Sequence, residues 1–330
     1  MQDEPWRFTT ITLLCIVSLI AALLPADDVG AQSFPVRPVR MVVAFGPGSG
    51  SDIFARILAD DMREGLGQPV IVDNKPGGSA QIAAELVAKA PADGYTVFLT
   101  TNTAHSANPC LFKKLNYDPI RDFTTIARVL YVPYVLAVEP GSKLTSVAEL
   151  VNLARAQPGK LTFGFGNSTS QVAGAAFARQ GSIDVTAVGY KSMPAVVADI
   201  LGTRLDFTFV DLASGQSYLK SGRLKPIAFS LPGRSALYPN VPAVAETAGF
   251  AGFEVTSWVG LVGPAGMPKD IVERLSVQVQ RTLAKPDIRD RFAGMGAEVA
   301  PSGPEEMDRF IRQQLESWRT KIKTAGIEPE

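Results

Sequence analysis

The residues best placed to do chemistry are a glycine-rich run, Gly46-Pro47-Gly48-Ser49-Gly50-Ser51-Asp52, that follows an apolar, β-branched stretch over residues 39–45. A glycine turn between a strand and a helix leaves backbone N–H groups pointing outward with the positive end of the helix dipole behind them, which favours an anion. Ser49 and Ser51 add hydroxyl donors, and Ser51 is read as the N-cap of the following helix. Three other segments fall at strand carboxyl ends, where open α/β sheets bind ligands. They are Thr100-Thr101-Asn102-Thr103, Gly164-Phe165-Gly166-Asn167-Ser168-Thr169-Ser170, and Asp211. The first two carry hydroxyl and amide donors suited to an acceptor-rich ligand, although caps and turns use the same residues. Asp211 has the opposite sign: it repels a carboxylate and accepts from an amine or hydroxyl, or caps the helix after Ala213.

Competing chemistries fit less well. Gly46-x-Gly48 matches the start of a dinucleotide fingerprint and Asp73 resembles its ribose-binding acid, but position 51 is Ser where the motif wants Gly. No Gly-Lys-Ser/Thr follows the glycines, so a Walker loop is excluded. The single histidine, His105, lies in Thr103-Ala104-His105-Ser106-Ala107 with no nucleophile elbow, and reads as a structural or ligand-adjacent residue. One His and scattered acids support neither a zinc nor a calcium site, so no metal and no cofactor is expected.

The elements that must position these residues alternate in a βαβ pattern, which predicts a mainly parallel sheet. Residues 39–45 read as a buried strand, followed by a helix in which Ile53/Ile57 and Phe54/Leu58 form one apolar stripe. Strands over 69–72 and 95–100 flank a helix near 79–89, and a further strand is expected over 129–138. A second series opens after Pro140-Gly141, with a capping box at Ser146-x-x-Glu149 and strands near 161–165, 185–190, 205–211 and 224–230. Residues 255–262 form another strand-like run, and helices over 269–284 and 304–325 close the chain. The reading is two α/β domains: residues 32–131 with 254–330, and an inserted block 132–253, joined by two crossovers that act as a hinge.

At 330 residues, with 46% hydrophobic and 19% charged content, the chain can bury two cores. Residues 11–24 form an apolar run followed by Pro25 and Val29-Gly30-Ala31, the signature of a cleaved signal peptide over residues 1–31 and hence of export to the periplasm. Beyond that segment 31 bases face 28 acids, a net +3 with no Lys/Arg cluster, which excludes a nucleic-acid partner. Of the two cysteines only Cys110 remains, so no internal disulfide forms.

In this order several short runs resemble the Bug family of periplasmic solute-binding receptors, the TctC-like component of tripartite tricarboxylate transporters. They are the Gly-Pro-Gly turn with Asp52, Asn74-Lys75-Pro76-Gly77-Gly78, Ala92-Asp93-Gly94-Tyr95-Thr96, Asn108-Pro109, Leu115-Asn116-Tyr117-Asp118-Pro119, Tyr190-Lys191, Val241-Pro242, Ser257-Trp258 and Gly263-Pro264-Ala265-Gly266. The resemblance implies a type II periplasmic-binding-protein-like fold, two α/β domains joined by a two-strand hinge with the cleft between them. It implies a receptor and not an enzyme, holding a small organic carboxylate or amino-acid-like ligand for a transporter membrane component or a sensor. Backbone N–H groups and ordered waters near the first turn would hold the carboxylate. The matching positions are Phe45, Gly46, Pro47, Gly48, Ser49 and Asp52, then Thr101, Asn102 and Thr103, then Gly166, Asn167, Ser168, Thr169, Ser170 and Asp211. Pro47-Gly48-Ser49 departs from the usual Pro-Gly-Gly, and Ser168 and Ser192 replace customary glycines. The competing reading is an exported nucleotide-binding oxidoreductase.

Overall fold

The computed structural model describes residues 34–330; the signal expected over residues 1–31 lies outside them. The first series is β1 (Val39–Val43), α1 (Gly50–Leu66), β2 (Val70–Asn74), α2 (Gln81–Ala88), β3 (Thr96–Thr101), α3 (Asn108–Leu111) and β4 (Phe123–Val132). The second is β5 (Tyr134–Val138), α4 (Val147–Ala156), β6 (Thr162–Phe165), α5 (Ser168–Gln180), β7 (Thr186–Gly189), α6 (Met193–Leu201), β8 (Phe207–Asp211), α7 (Leu212–Lys220) and β9 (Lys225–Phe229). The chain ends with β10 (Ser257–Pro264), α8 (Lys269–Ala284), α9 (Pro286–Ala293), β11 (Glu298–Ser302) and α10 (Pro304–Ala325).

These strands make two sheets within one unit, Arg37–Glu330. One has the order β11-β4-β10-β3-β1-β2 and the other β7-β6-β8-β5-β9. The βαβ pattern correctly gives the parallel pairs of β1 with β2 and β3, and of β6 with β7 and β8. Both sheets are nonetheless mixed, because β10 runs antiparallel to β3 and β4, and β5 antiparallel to β8 and β9.

The antiparallel strands are the ones that carry the chain between sheets. The single strand expected over 129–138 is two strands, β4 in the first sheet and β5 in the second, separated by Pro133. Proline cannot donate to a ladder, so it suits a residue that belongs to neither sheet. On the return, the Val255 amide still bonds Ser230 O at 3.0 Å, whereas Ser257 already pairs with Val132 of β4. The buried Ser230 hydroxyl ties the two passages together, since it lies 3.1 Å from Tyr134 O and donates to Val255 O at 2.6 Å.

Each sheet has its own core. Beneath the first, Trp258 meets Phe310 edge to face, with Phe98, Phe123 and Met307 alongside. In the second, Phe177 stacks on Phe250 at 5.0 Å and touches Phe207, Phe209 and Phe253. Helix α10 serves both: Met307, Phe310 and Ile311 belong to the first core, while Trp318, Ile322 and Ala325 sit among the residues of the second. The C-terminal helix thus contributes side chains to both cores. Helix α9 and strand β11 are additions the sequence pattern did not announce.

Replacing the fully buried Phe177 by Ala removes a ring held by four others, and truncations of this kind cost about 3–5 kcal/mol. Urea unfolding of Phe177→Ala is expected to show a loss of that size; a loss below about 1 kcal/mol would contradict the packing described.

Candidate functional site

Three helices point their N-termini into the gap between the sheets, and each follows directly from a strand or glycine turn. Helix α1 is capped by Ser49, whose hydroxyl accepts from the Asp52 amide at 3.3 Å; the cap lies two residues before the expected Ser51. Helix α5 is capped by Asn167 Oδ1, which accepts from the Ser170 amide at 2.9 Å. Helix α7 is capped by Asp211, whose Oδ1 accepts from the Ser214 amide at 2.8 Å. One cap satisfies only one of the donors a helix start exposes. The amide of Ser51, and those of Ser168 and Thr169 beside Asn167, donate to no protein acceptor among the described residues.

Where these ends converge lies a small cavity of about 30 Å³. Of the residues expected from sequence, Phe45, Ser49, Thr101, Thr103, Asn167 and Asp211 line it. Gly50, Ser51, Phe54, Val132, Tyr134, Met193, Ser257 and Val259 complete the wall. Ser51 lay within the glycine run already singled out, and Ser257 within the Ser257-Trp258 run. Tyr134 gave no signal, because it depends on where the chain changes sheets. Among the described residues no Lys, Arg or His lines it. A larger hollow of about 890 Å³ along Pro133, Leu231 and Thr256 lies elsewhere and gathers no helix N-terminus.

The other expected residues hold the walls. Asn102 and the start of α5 form a polar seam between domains: Asn102 Nδ2 donates to Thr169 Oγ1 at 2.9 Å, and Thr103 Oγ1 lies 2.8 Å from Ser168 Oγ. The Ser257 hydroxyl closes the seam by donating to Asn102 Oδ1. Ser170 is turned inward, its hydroxyl donating to Phe209 O at 2.7 Å. A Cβ on Gly166 would sit 2.4 Å from the Ser192 carbonyl carbon, so only glycine permits this approach of β6 to the start of α6. Gly46 packs beside Ser192, while Pro47 and Gly48 lie exposed at the lip.

Asp52 faces away from the cavity. Its carboxylate takes hydrogen bonds from Gly48 N at 2.9 Å, Asn74 Nδ2 at 3.0 Å and Arg56 Nη2 at 2.8 Å. Burial alone would raise its pKa, but these donors outweigh that and hold the carboxyl below the usual range. The Gly48 amide, expected to face a ligand, is thus spent on fixing the turn. Asn74 also donates to Phe45 O at 2.8 Å, so the Asn74-Lys75-Pro76-Gly77-Gly78 run braces the same loop. His105 lies in the core below the cleft: Nδ1 is 2.7 Å from Thr100 Oγ1, the ring packs on Phe123, and burial pushes its pKa down to about 3. It is therefore neutral at physiological pH. Asp73, the candidate ribose acid, is held by Arg40 and Lys75.

The domains meet closely at α1. Gly50 N donates to Ser214 Oγ at 2.8 Å, and a Cβ on Gly50 would lie 2.4 Å from Asp211 Oδ1 and 3.3 Å from Ala213 Cβ. A cavity of about 30 Å³ holds roughly two waters, so an organic acid enters only when the domains part.

Comparisons with known proteins bear on this arrangement. The profile of the family described as "Tripartite tricarboxylate transporter family receptor" matches residues 54–327. A UPF0065 protein of Bordetella bronchiseptica is 34% identical, over 96% of this chain and 94% of that protein. Among solved structures, R. palustris Rpa4515, determined with adipate, superposes with a TM-score of 0.87 at 33% identity, covering 90% of this chain and 100% of that one. The periplasmic binding protein BugD gives a TM-score of 0.86 at 30% identity, again over 90% and 100%. The two-domain α/β architecture is therefore the periplasmic-binding-protein fold. None of these matches supports the nucleotide-binding oxidoreductase.

Two outcomes follow from the geometry. Gly50→Ala adds a methyl group that this close approach rejects, so small-angle scattering is expected to show a variant more extended than the wild type under the same conditions, while its melting temperature changes little. A variant as compact as the wild type would contradict the close approach. For Asp52, a depressed folded pKa means that its contribution to stability is present above about pH 4 and is lost as pH falls through the folded value. Thermal melts are expected to place Asp52→Asn below wild type at pH 7, with the gap closing toward pH 3; a constant gap would contradict the ion-paired arrangement.

Proposed function

Because the chain belongs to the tripartite tricarboxylate transporter receptor family, we propose that it is a periplasmic receptor capturing a small organic carboxylate between its domains for uptake or sensing, without turning it over. The observation that carries this reading is the convergence of three helix N-termini on a cavity with unsatisfied amides and no lining cation. Such an end attracts an anion through its dipole and its free N–H groups. The adipate found in the R. palustris relative supports a carboxylate as that anion.

On this reading the carboxylate rests on the amides of Ser51, Ser168 and Thr169, with Ser49, Thr101, Thr103, Asn167 and Tyr134 completing the wall. Asn102, Ser168 and Thr169 reform their seam as the domains close. Hydrogen bonds to a charged group contribute about 1.5–3 kcal/mol each, so three contribute about 5–9 kcal/mol, against the roughly 8 kcal/mol of a micromolar complex. We assign residues 32–131 and 254–330 to the first domain and 132–253 to the second, with Pro133 and Thr256 as the bending points. The segment 1–31 is assigned as the export signal, and the partner as a transporter membrane component or a sensor.

Mass spectrometry of small molecules released on denaturing the purified protein tests the ligand class directly. An organic acid at near-stoichiometric amount, whose readdition raises the melting temperature, is the expected result. Release of a nucleotide, or conversion of the added acid into product, would overturn the proposal.

A further inference from the structure

The cleft contains one feature that a site for anions would be expected to avoid. Asp211 is 5% exposed and lines the cavity, and its Oδ1 is the first atom that a Cβ on Gly50, at the start of α1, would meet. No cation faces it. From α1 come Ser49, Gly50 and Ser51, from β5 Tyr134, from α5 Asn167, from α6 Met193, from β10 Ser257 and from α7 Ser214. Tyr134 is the one other titratable group in the wall, and Asp52, on α1, is turned to Arg56 and Asn74. The Ser214 amide donates to Asp211, and the Ser214 hydroxyl accepts from Gly50 N. Burial pushes the Asp211 carboxyl up, as it must where no opposite charge compensates the lost hydration.

A closed cleft would therefore hold two negative groups, the ligand carboxylate and Asp211, around one set of helix ends. Like charges enclosed together cannot both remain ionised without a donor between them. We propose that Asp211 determines which carboxylates the cleft accepts: the ligand must place a proton-bearing group, an ammonium, a hydroxyl or the acid form of a second carboxyl, against its side chain. This rests on the carboxylate-receptor reading above and narrows its ligand class. An ammonium or hydroxyl brings its own hydrogen. A plain dicarboxylate does not, so its closure takes one proton from solvent, held between Asp211 and the ligand.

The test is calorimetry with matched series: succinate, malate and aspartate, then adipate and 2-aminoadipate, on wild type and Asp211→Asn. Asn caps helices as well as Asp, so the variant keeps α7 and its fold. In wild type the hydroxyl or amino member of a series is expected to bind at least tenfold tighter than the plain diacid at pH 7. The plain diacid is expected to take up one proton, measured in buffers of different ionisation enthalpy, and to weaken up to tenfold per pH unit as pH rises. In Asp211→Asn the preference is expected to fall below threefold and the proton uptake to vanish. Equal binding across a series in wild type without proton uptake, or an unchanged preference in the variant, overturns the inference and leaves the receptor reading standing. Failure of every acid to bind wild type overturns both.

Discussion

A helix start buried between two domains has N–H groups that must find acceptors, and the organisation of this protein follows from that requirement. Each of the three helix ends at the cleft has its own cap, at Ser49, Asn167 and Asp211, and each cap satisfies one donor. The remaining amides lie beyond the reach of their own caps and beside a cavity whose wall offers no cation. An acceptor-rich, negatively charged guest is the natural complement to such a wall. Because the donors are main chain, their aim is set by strand ends and turns, and much of the sequence around the cleft serves to hold those turns. Asn74, Arg56 and Gly48 fix Asp52, and through it the loop before α1.

Closure is the second requirement, and it is built into the passages between sheets. Pro133 separates two strands of different sheets, and Ser230 bonds both passages, so the domains are joined at one narrow place. Helix α10 adds a third link, beginning in one core and ending in the other. The polar seam of Asn102, Thr103, Ser168 and Thr169 joins the domains through side-chain hydrogen bonds whose net contribution is small, because the same groups bond water when exposed.

Much of this was legible in the sequence. The β1 strand, the glycine turn and the apolar stripe of α1 are set by local rules, and the helices at 269–284 and 304–325 fall where their periodicity places them. What escaped was decided by partners distant in sequence. Strand β11, Glu298–Ser302, has little intrinsic preference for extended structure and pairs because β4 is there to pair with. The strand over 129–138 looked continuous because both halves are apolar, and only the sheet order reveals the break at Pro133. In the cleft, hydroxyl and amide residues announced the regions but not their roles. Asn102, Ser168 and Thr169 bond one another, Ser170 faces inward, and Asp52 faces away, while Tyr134 and Ser257 reach the cavity from strands whose neighbours the sequence does not name.

Main-chain amides at two helix ends, one from each domain, are the proposed grip on the ligand carboxylate. Amide-resolved NMR during titration with a series of small organic acids reads that grip residue by residue. The Ser51, Ser168 and Thr169 amide protons are expected to move downfield together and saturate with the same affinity. A titration that saturates with those three resonances unmoved, while side-chain donors elsewhere respond, would contradict it.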